Sequence, residues 1–115
     1  METTEMVSRI QETLNDWVGG HLIIQKQENE DLDKVIMVLD RISLFHREET
    51  IDNYTPSSLL QLEGKGKIIS EKNPVSLPDA NYEVQLEDLK EIDRSANELK
   101  ITTERAHYVI TYNSN

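Results

Sequence analysis

The chain has 115 residues, no cysteine, and a formal charge of −10 from 22 acidic against 12 basic side chains. That length sets one domain with a core of its own, and the missing thiol excludes disulfides, thiolate zinc sites and cysteine nucleophiles. The charge works against direct binding to nucleic acid or to an anionic membrane, since both depend on lysine and arginine meeting phosphate. The first residues, Met1-Glu-Thr-Thr-Glu-Met6, are acidic where a signal peptide is basic and then apolar. No apolar run reaches the roughly 20 residues of a membrane helix, so the expectation is a cytoplasmic protein without a membrane span.

Residues 3–18 read as an amphipathic helix. Met6, Ile10, Leu14 and Trp17, joined by Val7 and Val18, recur at three- and four-residue steps, opposite Ser8, Arg9, Gln11, Glu12, Asn15 and Asp16. Thr3 or Thr4 suits the N-cap, Glu5 suits the positive end of the helix dipole, and Gly19-Gly20 supplies a left-handed stop. Such a stripe needs an apolar partner, and a sheet built by the rest of the chain is the expected one.

Leu22, Ile23 and Ile24 centre a strand over residues 21–27. An acidic connection at 28–33 closes a hairpin with a second strand at 34–46. Its first part, Val35-Ile-Met-Val-Leu39, is apolar on both faces, which places it mid-sheet or under the helix. Residues 47–58, with Tyr54 and Pro56, read as a loop. Residues 59–63 and 67–70 are two short strands about Gly64-Lys65-Gly66, or one strand bent at the glycines. Pro74 and Pro78 mark 71–80 as the longest irregular connection. From Tyr82 to Tyr112 the pattern is a β-meander, with Leu99, Ile101 and Thr103 alternating against Lys100, Thr102 and Glu104.

Within that run, Val84-Gln-Leu-Glu-Asp-Leu-Lys-Glu-Ile92, then Leu99-Lys-Ile-Thr-Thr and Tyr108-Val-Ile, is similar in rhythm to the strands of bacterial pleckstrin-homology-like domains. The resemblance is one of architecture, because the helix of those domains follows the strands and here it precedes them. The fold expected is α+β: an N-terminal amphipathic helix packed on a curled antiparallel sheet, or a small β-barrel, of about six to eight strands in a single domain.

Chemistry-bearing patterns are sparse. His21, His46 and His107 fall on separate strands that could converge on a divalent metal, yet no two have close ligand spacing. Asn29, Asp31, Asp33 and Asp40 echo alternate positions of a calcium loop, but Lys34 stands where its sharp turn needs glycine. Gly64-Lys-Gly-Lys67 lacks the spacing and the hydroxyl residue of a phosphate-binding loop. No serine sits in a Gly-x-Ser-x-Gly setting, and neighbouring carboxylates such as Glu87 and Asp88 would face opposite ways in a strand.

The sequence therefore points to a non-enzymatic protein–protein interaction module or regulator, needing no cofactor, with a protein partner and the option of a homodimer through a free sheet edge. Trp17, Tyr54, Asp31 and Asp33 are its candidate interaction residues. The irregular stretches at 28–33, 47–58 and 71–80 are where a working surface is expected. A second reading encloses a small apolar ligand between helix and sheet, walled by Leu22, Ile24, Val35, Met37 and Leu39. A metal-dependent enzyme built on the three histidines is the third.

Overall fold

The computed structural model describes residues 3–47, 57–69 and 74–113. Helix α1 (Thr3–Asp16) precedes seven strands: β1 (His21–Glu28), β2 (Asp31–Arg47), β3 (Ser57–Ile69), β4 (Pro74–Gln85), β5 (Leu89–Arg94), β6 (Glu98–Thr103) and β7 (His107–Asn113). All pairings are antiparallel, in the order β4-β3-β2-β1-β7-β6-β5. The α+β architecture and the single N-terminal helix are as expected.

The helix obeys its apolar period. Met6, Val7, Ile10 and Leu14 are buried, with Trp17 just beyond the last turn. Asp16 ends α1, and Gly19 then adopts φ 94°, a conformation open to glycine at little cost. Val18 falls in that turn rather than on the stripe and is 43% exposed. The buried stripe lies on one face of the sheet, where α1 packs against β2 and β5. Opposite it stand Leu22, Ile24, Met37, Leu39, Leu60, Leu62, Val84, Leu99, Ile101 and Ile110, one continuous core.

Three connections differ from expectation. The acidic 28–33 segment is strand almost to its tip: Glu28 pairs with Asp31, leaving only Asn29 and Glu30 in the turn, with Asn29 at φ 55°. Polar side chains at a hairpin tip are hydrated on both faces, so their polarity does not oppose ladder formation. The glycine segment is one bent strand, β3, whose register with β2 shifts between Leu39 and Arg41 and with β4 between Gly64 and Gly66. Most of the segment expected to be irregular at 71–80 belongs to β4. Proline is compatible with a strand at the sheet edge, where a missing N–H costs no ladder bond, and β4 is an edge.

The meander is also narrower than expected. β5, β6 and β7 are sequential neighbours, but the strand carrying Tyr82 and Val84 lies at the opposite edge. Only Leu86, Glu87 and Asp88 join β4 to β5. A link from Gln85 to Leu89 reaches at most about 14 Å, so the two edges must curl toward each other at that end. Leu86 N–H donates to the Ser58 carbonyl (2.8 Å) and Glu104 N–H donates to the Asp88 carbonyl (3.0 Å), pinning the link on both sides. The edges nevertheless do not pair, so the expected barrel is not closed: the structure is a seven-stranded curled open sheet.

Candidate functional site: a groove between the helix and a free strand edge

Because the sheet stays open, β5 presents an edge with no strand partner among the described residues, and α1 runs beside it. Between them lies a groove of about 540 Å³. Thr4, Glu5, Ser8, Arg9, Glu12 and Thr13 form the helix wall, and Ile92, Asp93, Arg94 and Leu99 the strand wall and floor. The helix wall is the flank of the amphipathic pattern between the buried stripe and the solvent face. Thr13, fully buried, donates its hydroxyl to the Arg9 carbonyl (2.7 Å), so this polar group is satisfied within the helix. Asp16 reaches Arg94 across the end of the groove (3.7 Å), an exposed pair that orients Arg94 more than it stabilises the fold.

The hydrogen-bonding phase of β5 follows from its turn. Ser95 N–H donates to the Glu98 carbonyl (2.8 Å), and the ladder beyond it pairs Arg94 with Leu99, Asp93 with Lys100 and Ile92 with Ile101. Bonded and non-bonded pairs alternate in an antiparallel ladder. Asp93 therefore spends its N–H and C=O on β6, whereas those of Ile92 and Arg94 point to the open edge. The side chains alternate as well. Ile92 lies opposite buried Ile101 and faces the core side, while Glu91 and Asp93 are exposed on the far face.

The residues singled out in the sequence lie elsewhere. Trp17 is 3% exposed and stacks on Tyr112, with ring centres 5.2 Å apart and planes 2° from parallel. It is a core residue, because the turn after α1 folds it back over the sheet, and it offers no surface for a partner. Tyr54 lies outside the described residues. Asp31 and Asp33 are exposed near the β1–β2 tip. Asp33 pairs with Lys26, Lys26 with Tyr108, Tyr108 with Ile101 and Ile101 with Ile92, which puts Asp33 about 19 Å along the sheet from the groove. His21 pairs with Asn113 and His107 with Gln27, so these two histidines occupy opposite ends of the β1–β7 pair, about 20 Å apart. His46 belongs to β2, and its side chain lies outside the described residues. Among the described residues no group of three or more histidines and carboxylates has metal-binding geometry.

The five residues proposed as ligand walls, Leu22, Ile24, Val35, Met37 and Leu39, are all at most 2% exposed and pack in the core. Neither the groove nor a small pocket of about 20 Å³ between Lys26, Gln85 and Arg105 opens onto them.

One titratable group on the concave side is strongly perturbed. Burial, with Tyr108 and Asp33 nearby, raises the Tyr82 phenol well above its ordinary value, so the folded state holds its proton where the unfolded chain has lost it. Folding stability from this group is full below the unfolded value and falls as pH rises above about 10. Tyr82→Phe is expected to flatten that alkaline loss, read as the slope of the urea midpoint against pH; an unchanged slope would assign the loss to other groups.

The groove residues were not identifiable from sequence because β5 looked like one strand of a meander. Nothing in Leu89-Lys-Glu-Ile-Asp-Arg94 marks it as an edge, and only the strand order does so. No helix among the described residues is long and apolar enough to cross a membrane.

Comparison with known proteins gives no chemistry to add to this geometry. No solved structure matches the chain. It is 30% identical over 109 residues to the uncharacterised protein YmzB of Bacillus subtilis (strain 168), covering 90% of this chain and 92% of that protein. The family model described as YmzB-like protein matches residues 3–115, nearly the whole helix-and-sheet unit, and the chain belongs to that family.

Proposed function

We propose that this protein is a non-enzymatic protein-binding module of the cytoplasm, and that it holds an extended segment of its partner against β5. The observation that carries the reading is the open edge of β5 beside the α1 groove, with the backbone groups of Ile92 and Arg94 turned outward. Unpaired strand edges are templates for strand addition, in which main-chain bonds supply affinity and alternate side chains supply selectivity. The opposite edge is less suited to this, since Pro74 and Pro78 in β4 have no N–H to donate.

Replacing Ser95, exposed directly after β5, by a photo-crosslinking amino acid in the producing cell tests the reading. The expected result is a discrete adduct that disappears when Arg94→Pro or Ile92→Pro removes an outward donor, while the β5–β6 ladder bonds of Asp93 remain. An adduct that survives both proline variants, or labelling no stronger than that from a convex-face position such as Gln25, counts against docking at this edge.

A further inference from the structure

We infer that the segment received by β5 alternates basic and apolar residues, and that the edge is built to refuse a second copy of this chain. The inference rests on the docking reading above and adds the chemistry of the partner.

The charges facing the site decide the first half. Glu91 and Asp93 project from the exposed face of β5, and Glu5 and Glu12 line the helix wall. Against these four carboxylates stand Arg9 on the helix and Lys90 at the β5 bulge. Arg94 is paired with Asp16, and Lys100, across the ladder from Asp93, is paired with Glu98 at 3.7 Å. A strand added to β5 places every second side chain beside Glu91 and Asp93, where cross-strand neighbours of opposite charge are favoured and carboxylates are not. Its other side chains fall on the inner face beside half-buried Ile92, where an apolar neighbour is favoured. The chain's charge of −10 adds long-range attraction for a basic segment.

The same residues exclude self-pairing. Residues facing each other across an antiparallel ladder share a face, so two copies of β5 related by a two-fold axis must centre on a residue. Centred on Ile92, the pair sets Glu91 of each copy against Asp93 of the other. Centring on Glu91 or on Asp93 sets each carboxylate against its own copy. Each of the central registers thus carries like charges directly opposite, one of the ways natural edges avoid association. The homodimer through a sheet edge, open on sequence grounds, is disfavoured at β5.

Short synthetic peptides test the partner chemistry. A peptide alternating lysine with valine is expected to protect the Ile92 and Arg94 amides from hydrogen exchange. One alternating glutamate with valine is expected to bind about tenfold more weakly or worse. The double variant Glu91→Lys/Asp93→Lys should reverse that order. A lysine–valine peptide whose lysines and valines are grouped in two blocks controls for attraction without alternation. Equal protection by the glutamate peptide, or by the blocked one, overturns the inferred chemistry while leaving β5 as a docking edge. If no peptide protects Ile92 and crosslinking at Ser95 also fails, the docking reading itself falls.

Self-association gives an independent arm. Glu91→Lys alone places a new lysine opposite Asp93 of the second copy twice in the register centred on Ile92. Its self-association constant, from sedimentation equilibrium, is expected to rise about tenfold or more over wild type. No rise, or a wild-type dimer that Arg94→Pro dissociates, overturns the exclusion of a second copy.

Discussion

Gly64→Ala is expected to lower folding stability by about 3 kcal/mol, among the largest effects available to a single methyl group in this chain. The cause is local and specific. A Cβ on Gly64 would run into the Val38 carbonyl oxygen on β2, with the Met37 Cε methyl also only 3.0 Å away. The principal obstacle is backbone, so it cannot be relieved by turning a side chain. Gly66 has the same problem with the Ile36 carbonyl. Both lie where β3 changes register with β4, and β2 changes register with β3 alongside, and at these irregularities the β2 backbone lies close against the two glycines. Removing backbone freedom from the unfolded chain would favour alanine by about 0.4–1 kcal/mol, too little to offset such a clash. The intervening Lys65 is exposed, and Lys65→Ala should change stability by no more than about 0.5 kcal/mol. Urea unfolding of the three proteins checks the prediction. A Gly64→Ala loss below about 1 kcal/mol would mean that β2 and β3 separate easily and that the glycines serve only to bend the strand.

The bend at these glycines also shows what was legible in the sequence. Gly64 and Gly66 announced an irregular strand, because glycine inside a β pattern usually marks a bulge or a close approach. The helix was legible for a similar reason: Met6, Ile10 and Leu14 recur at a period set by local geometry alone. Local patterns stop at the connections. Asp31 and Asp33 look like loop residues, yet a hairpin tip satisfies its backbone through the ladder and leaves such side chains wet. Pro74 and Pro78 look like loop breakers, yet an edge strand tolerates them. Whether a strand is an edge depends on contacts between residues far apart in sequence, as when His21–Glu28 pairs on one side with β2 and on the other with β7. The candidate site inherits that limit. Ile92 and Asp93 acquire meaning only because β5 ends the sheet and α1 lies next to it, a placement no periodicity encodes.

That placement of α1 depends on its far end, which makes Trp17 the second position of large expected effect. Trp17→Ala should cost about 3–5 kcal/mol, the usual range for deleting a buried large aromatic. Trp17 sits where the chain leaves the helix: its N–H donates to the Leu14 carbonyl (3.1 Å), and its own carbonyl accepts from Gly20 N–H (3.0 Å). The indole stacks on Tyr112 of β7, and a Cβ on Gly20 would collide with that same tyrosine ring. The turn, the indole and β7 are therefore packed as one unit, and the stack joins the end of α1 to the middle of the sheet. A double-mutant cycle with Trp17→Leu and Tyr112→Leu isolates the ring–ring contribution, expected at about 0.5–1.5 kcal/mol beyond simple burial. Circular dichroism must follow unfolding, since the substitution removes the chain's single tryptophan. Trp17 does not line the groove, yet loosening this anchor lets α1 shift against β5 and change the groove's width. Trp17→Leu should then weaken docking at β5 even under conditions where the protein remains fully folded, whereas Tyr82→Phe, on β4, should not. Equal docking by the Trp17→Leu and wild-type proteins would show that the strand edge suffices and that the helix wall contributes nothing to recognition.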